Sequence, residues 1–464
     1  MQTSGRERQP HRRGLRDPGR STSTVRLALL LVLVGLVWRA LIAFAIVPYW
    51  ESSAGVAPFP DSYQLLARSL IEERTLGYGE LGASPTTLRA PAYPLWLAAG
   101  ILVGGERASW LGFWAGIPGV LAGVLLFSWA TRRHGLVAGL SGFGVAVMHP
   151  LPSLASARVM SDDFSGALAF IAIGCWVVLA ESRSTARWPA VATTTVVATA
   201  SCLLTRSSAA LAVVAIAVVI LPRQPRRRFL FLLLALACVP ALLWSARTSW
   251  LEGRPVYLHS LTAYNFWIGE GFDRAAVSGE SPSLFPDVVG LALTEAGWDD
   301  VDPHSFRHVE LTPQEAARLE TALSAAARRR ILKDPIGYVS RIARGTGLFW
   351  IQAESRRRSV QYALLAVPVV LLAIAGGVVL LRSGRPRDLL GVVLLAWLLL
   401  GTLAHAAIFP TARLSVQYYP ALGWLAGLAL ASLVAWTRPP PDADGQDDSR
   451  MTAASRSGSS VPIL

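Results

Sequence analysis

Residues 27–47, LALLLVLVGLVWRALIAFAIV, decide how the rest of the chain is read. They follow an Arg-rich leader, and Ala43-Phe44-Ala45 has the small-x-small look of a signal-peptidase site. The run is longer than the apolar core of a usual signal peptide, so it reads as an uncleaved membrane anchor. Similar runs recur along the 464 residues, at 108–130, 135–152, 164–181, 188–204, 207–222, 229–247, 359–382, 388–409 and 415–437, the first extending over 26–48. With 53% hydrophobic and 16% charged residues and a mean hydropathy of +0.44, the expected fold is an all-α polytopic membrane protein. It has about ten transmembrane helices and two outer loops carrying interfacial helices.

The formal net charge is +13, which in a soluble chain would suggest nucleic acid. Here the arginines sit in short clusters between apolar runs, where they set orientation, so no nucleic-acid partner is expected. With the N-terminus inside, the cytoplasmic turns are TRRH at 131, SRSTAR at 182, RQPRRR at 223 and RSGRPR at 382, while the opposite turns hold one arginine each, Arg158, Arg206 and Arg413. The resulting division is a cytoplasmic Arg-rich N-terminus (1–25), a transmembrane core with a first outer loop at 49–107 (26–247), a large extracytoplasmic loop with helices (248–358), C-terminal transmembrane helices (359–437) and a disordered cytoplasmic tail (438–464). A multi-pass plasma-membrane location with both termini cytoplasmic follows.

The outer loops carry structure of their own. Thr312 is an N-cap with Pro313 at the first helical position and Glu315 closing a capping box, and Asp334-Pro335 stops that helix. In the next stretch Ile336, Val339, Ile342, Ala343 and Leu348 form an apolar face with Arg341 and Arg344 elsewhere, as in an interfacial helix. DSYQLLARSL from Asp61 and PAYPLWLAAGILVG from Pro91 read as further interfacial or re-entrant helices. No Walker A loop or dinucleotide fingerprint occurs, and Cys175, Cys202 and Cys238 lie in apolar runs without metal-ligand spacing. Chemistry at the outer face, where nucleotide-activated donors are unavailable, points to a lipid-carried activated substrate. No HExxH, loop DxD or histidine cluster is present, so no cofactor is expected, with a divalent metal left open.

The order of motifs is more specific than any one of them. An acid just after the first span (Asp61), LRAPAYPLWLA (Leu88–Ala98), MSDDF (Met160–Phe164), LLTRSSA (Leu203–Ala209), WSARTSWLEGRPVYLHSLTAYNFWIGE (Trp244–Glu270) and FPTARLSVQYYPALGWLA (Phe409–Ala426) follow one another along nearly the whole chain. In that order they resemble the GT-C glycosyltransferases. Within these the similarity is to the protein mannosyltransferase and aminoarabinose transferase branch, glycosyltransferase family 39.

The resemblance implies inverting transfer of a sugar from a polyprenyl-phosphate donor to a glycan, lipid or protein acceptor at the outer membrane face. It maps Asp61 and Asp162 onto the family's two loop acids, and Arg89 onto the basic residue ahead of the Pro-x-Tyr-Pro stretch that holds Tyr93. Arg247 and Arg413 map onto the arginines of the seventh and the closing spans. The chain departs from the pattern in having Asp at the second loop, where Glu is frequent, and Thr248 where Asn is common. On this reading Asp61 is the general base, Asp162 orients the acceptor or shares that role, and Arg89, Arg206, Arg247 and Arg413, with Tyr93, hold the lipid phosphate, since guanidinium geometry matches phosphate. Membrane lipids are the remaining partners.

Plainer readings compete residue by residue. Asp61 alone, after Pro60 and before a helical stretch, fits an N-cap better than a base, and only its place in the ordered set reverses that. Asp162 and Asp163 are adjacent, so in a helix they cannot both face one site. The arginines also fit headgroup anchors, and His149 and His405 fit satisfied helix histidines. Arg39 lies ~15 Å inside the first span, where an unpaired charge costs at least ~2.5–3.5 kcal/mol. It must face a partner or a cavity, with structural pairing preferred over a phosphate role. A transporter or lipid flippase is the competing class, but it predicts charged or broken helices near the midplane of both halves.

Overall fold

The computed structural model describes residues 18–54, 61–78, 85–182, 188–278, 285–303, 306, 310–353, 355–383 and 388–437. The leader before residue 18, the tail from 438, and much of the arginine turns at 182 and 382 lie outside the described residues. Every regular element described is helical, so the protein is the all-α membrane fold the apolar runs predict. Eight helices among the described residues are long and apolar enough to cross a bilayer: Val25–Ser52, Ala108–His134, Leu136–Ala157, Ser161–Glu181, Arg227–Glu252, Arg356–Arg382, Leu389–Ile408 and Ala412–Thr437. The other two expected spans are the shorter helices Trp188–Leu203 and Ser207–Arg223. At 1.5 Å per residue the 16-residue Trp188–Leu203 helix reaches ~24 Å, short of a full hydrocarbon core.

The closing span is the axis of the bundle. Tyr419 through Ala429 are all buried, and the Arg356–Arg382 and Leu136–Phe143 helices pack along it. Small residues permit the approach: a Cβ at Gly376 would overlap the carbonyl of Leu425, and one at Gly166 the carbonyl of Gln417. Lipid supplies no hydrophobic drive between helices, so such van der Waals contact holds the bundle. The outward surface carries Leu33, Val37, Leu243, Leu364 and Leu371, each more than half exposed, as a lipid-facing surface does.

Arg39 has a partner. It is buried, and its Nη1 lies 3.1 Å from Asp163 while donating to Ser156 Oγ at 2.7 Å and the Pro152 carbonyl at 2.9 Å. A π-helical turn, Ile42–Ile46, follows in the same helix. The Leu136–Ala157 helix breaks at His149, whose extended backbone is what a residue before proline prefers, and His149 caps the renewed helix by accepting from Leu151 N–H.

The outer segments form a helical layer over one end of the bundle: Tyr63–Glu72, Ala92–Gly104, Thr262–Ser278, Phe285–Ala296, Pro313–Lys333 and Pro335–Ile351. The capping box is present, with Thr312 Oγ1 accepting from Glu315 N–H and Glu315 accepting from Thr312 N–H. Asp334 ends that helix and caps the next through Gly337 N–H at 2.8 Å. In Pro335–Ile351 the apolar residues Ile336 and Val339 are exposed, while the packed face is Arg341, Gly345 and Phe349. Arg341 is therefore buried, contrary to its expected place away from the packing.

Candidate active site

Asp61 and Asp162 meet through Arg413. Arg413 Nη2 donates to Asp61 Oδ2 and its Nε to Asp162 Oδ2 at 3.3 Å, while Arg206 Nη1 donates to Asp162 Oδ1. Four chain segments meet there: the first outer loop, the start of the Ser161–Glu181 helix, the turn before Ser207, and the start of the closing span. Asp162 is completely buried. Helix geometry turns its neighbour Asp163 the other way, onto Arg39, so each carboxylate of the pair has its own guanidinium partner.

Aromatic side chains wall the cluster. Tyr63 OH hydrogen-bonds Ser161 Oγ at 3.2 Å, and its ring meets Tyr93 edge-on at 4.9 Å. Tyr93 contacts Phe164 at 5.2 Å, is fully buried, and its hydroxyl has no hydrogen-bond partner among the described residues. Arg89 stands 5.4 Å from the Tyr63 ring centre, and its Nε is likewise buried without a partner. Burial acts against the Arg89 charge, but Tyr63, Tyr78 and Asp61 more than offset it and raise its pKa. Burial alone would raise the Asp61 carboxyl; Arg413, then Arg89 and Arg206, override that and hold it at about 2. Two carboxylates against Arg89, Arg206 and Arg413 leave the pocket one positive charge in excess.

Arg247 stands apart from this cluster. Its guanidinium lies over Trp244 at 4.4 Å, and Nη1 reaches the Thr86 carbonyl at 3.4 Å. It braces the segment that carries Arg89, and among the described residues it makes no hydrogen bond or ion pair with either carboxylate. His405 and His149 are satisfied helix histidines: His405 pairs with Gln417 at 2.9 Å and stacks on Phe349, and His149 meets the Leu365 carbonyl at 3.2 Å.

Sequence reasoning passed over His259. Ser260 N–H donates to the Thr87 carbonyl at 3.1 Å, which lays this loop beside Arg89. His259 Nδ1 donates to the Ser260 carbonyl at 3.1 Å, fixing the tautomer with Nε2 free to accept, and burial, with Arg89 and Arg206 nearby, depresses its pKa to about 4. The backbone is also unusual here. Ser62, Val159, Leu258 and Leu261 all have positive φ, of 54°, 57°, 59° and 123°, and each left-handed non-glycine residue costs ~1–3 kcal/mol. These four flank Asp61, Asp162 and His259. No sequence signal announced them.

Among the described residues no group of three or more His, Cys, Asp or Glu side chains is placed to hold a metal ion. No family model and no curated protein matches the chain. Among solved structures, the chain is similar to ArnT from Cupriavidus metallidurans in the apo state, at 17% identity over 89% of this chain and 78% of that one, with a TM-score of 0.38. It is also similar to ArnT from the same organism bound to undecaprenyl phosphate, at 16% identity over 90% and 79% of the two chains, with a TM-score of 0.36.

Proposed function

We propose that the chain is an integral membrane glycosyltransferase that moves a sugar, with inversion, from a polyprenyl-phosphate donor to an acceptor at the extracytoplasmic face. The observation that carries this reading is Arg413 joined at once to Asp61 and Asp162, with Arg206 on the same carboxylate, at one end of a membrane bundle. A donor anchored in the bilayer reaches that depth from the side, and a hydroxyl acceptor arrives from water.

The chemistry needs a cation site and a base. As the acceptor oxygen attacks the anomeric carbon, the bond from that carbon to the phosphate oxygen breaks and its electron pair stays on the phosphate. The acceptor proton passes to Asp61. Phosphate is already a good leaving group, so Arg413, Arg206 and Arg89 have only to neutralise the charge it gains. The unpaired Tyr93 hydroxyl is a further donor beside these arginines. Asp162, buried and held by two arginines, keeps those guanidinium groups in place rather than taking the proton.

An Asp61 held at about 2 is a weak base at neutral pH. Lipid phosphate supplies the correction, because its charge offsets the arginines that depress the carboxyl. Base strength then rises only when donor is bound. On the same reading the mouth faces outward and both termini lie in the cytoplasm, since Arg132, Arg133 and Arg226–Arg228 collect at the opposite helix ends.

The test is purified protein in proteoliposomes, supplied with polyprenyl-phosphate-linked pentoses and hexoses and scored for sugar leaving the lipid. Release that is lost in a folded Asp61→Asn protein is the expected result. Absence of release from every donor, by protein that remains helical and monodisperse, removes the proposal.

A further inference from the structure

One cluster of arginines runs against the charge pattern that orients the rest of the chain. Arg356, Arg357 and Arg358 open the Arg356–Arg382 span where it leaves the outer helical layer, with no acid in the first turn. On the proposed orientation this is the outer leaflet, where arginines beside a span oppose the positive-inside rule. At a helix N-terminus they oppose the macrodipole as well. Arg358 lies over Trp50 at 5.8 Å. The other two differ: Arg356 and Arg357 are exposed, and their guanidinium groups make no hydrogen bond or ion pair among the described residues. Glu354 lies outside the described residues, and counting it still leaves the 354–358 segment at +2, from three arginines and one glutamate.

Helix geometry sets Arg356 at the head of an apolar groove. Arg356, Val360, Val367 and Leu371 recur at helical spacing on one face of the span, and Val360, Leu371 and the adjoining Leu364 are each more than half exposed. Along that face a cavity of about 520 Å³ opens between Val367, Val370 and Leu371 and the last turns of Pro335–Ile351, at Leu348, Trp350 and Ile351. The one charged residue in its lining is Arg344, and Asp273 already answers that guanidinium, at 3.2 Å from Nε and 2.7 Å from Nη2. The groove itself is therefore apolar. Val367 and Leu371 lie ~16 and ~22 Å along the helix axis from Arg356, a drop comparable with the ~15 Å of hydrocarbon in one leaflet. Cations at the top and an apolar groove below match the two parts of one lipid. The buried face of the helix, Val369, Ala373 and Gly376, turns the other way and meets the closing span at Leu425. The groove thus faces lipid, away from the span that carries Arg413. We propose that it holds an acyl chain of an anionic glycerophospholipid whose head is bound by Arg356 and Arg357.

Trp350 makes the groove measurable, because bromine quenches only nearby indole fluorescence. The full detergent-solubilised chain is titrated with phosphatidylglycerol brominated on its acyl chains, and in parallel with phosphatidylcholine carrying the same chains. The Trp350 signal is the difference between the parent and Trp350→Phe. Half-quenching is expected at about a tenth or less as much phosphatidylglycerol as phosphatidylcholine, as two arginines at a lipid surface predict. That preference should fall to near parity in the double variant Arg356→Gln, Arg357→Gln, whose changes are confined to exposed side chains. No quenching by either lipid, equal quenching by both, or a preference that survives the double variant overturns the proposal. Displacement of phosphatidylglycerol by equimolar polyprenyl phosphate overturns it too, since the groove would then belong to the donor. If Trp350→Phe folds poorly, the number of phosphatidylglycerol molecules retained by the parent and by the double variant in native mass spectrometry decides the same question. The readout is bound lipid, so failure of the glycosyltransferase reading leaves it standing.

Discussion

The two ends of the helix bundle both gather carboxylates and arginines, and they use them in opposite ways. At one end Asp388 opens the Leu389–Ile408 helix with both oxygens engaged. Oδ1 accepts from Arg133 and from Gly391 N–H, each at 3.1 Å, and Oδ2 meets His134 at 2.9 Å and Trp424 at 3.3 Å. Arg133 also reaches Glu181 at 2.6 Å, which closes the knot. At the other end Asp61 and Asp162 share Arg413, one guanidinium is in excess, the Tyr93 hydroxyl is unmet, and the neighbouring backbone is held in left-handed conformations. A satisfied network rigidifies; an unsatisfied one keeps interaction in reserve for something that is not protein. On the proposed function, the contrast separates a charge that ties helices from a charge that waits for substrate.

Substitutions should divide along that line. The largest effect is expected from Asp388→Ala, which leaves Arg133 with Glu181 alone and strands His134, Trp424 Nε1 and the Gly391 N–H, and should cost ~3–5 kcal/mol of stability. Chemical denaturation in detergent reads this loss, while sugar transfer per folded molecule stays near the parent value. Arg413→Gln should do the reverse, lowering transfer ~10²–10³-fold as removal of a charge-stabilising donor does, with the helical signal retained. A stability loss in Arg413→Gln as large as in Asp388→Ala would dissolve the distinction. Asp61→Asn should lower transfer about a hundredfold or more while keeping or tightening binding of polyprenyl phosphate, because the positive excess grows.

The pH dependence sharpens the comparison further. Asp61 has a folded value of about 2 against an ordinary 3.8, so its ion pair contributes stability that is complete above about pH 4 and is lost as pH falls toward about 2. The melting temperature of the parent chain minus that of Asp61→Asn should shrink across that window. The smallest effect is expected from Ser62→Gly, where glycine carries the φ of 54° without strain. Relief of ~1 kcal/mol should raise the melting temperature slightly, and transfer should fall if the strained turn aims Asp61.

The sequence made the framework legible wherever a single local rule sufficed. Bilayer thickness fixes the length of a span, and a capping box is written within four residues, so both the helices and the Thr312 cap could be read directly. The short Trp188–Leu203 helix, expected as a span, is where apolar length alone decides least. Adjacency already divided Asp162 from Asp163, but which of them faced the arginines depended on Arg39, which takes Asp163 from 124 positions away. Arg247 shares its residue type and its end of the bundle with the Asp61–Arg413 cluster, and only its packing on Trp244 sets it aside. His259 and the buried Arg341 were illegible for a similar reason. Their meaning comes from carbonyls of distant segments, at Thr87 for the His259 loop and Ile408 for Arg341.

The grip of Arg413 on Asp61 spans 352 positions. At ~5–20 residues per second of synthesis, the acid leaves the ribosome roughly 20–70 s before the guanidinium that completes it. During that interval the first outer loop stands without its principal counter-charge. On the proposed function, then, a nascent chain holds no complete grip on a donor lipid until its final helix is threaded.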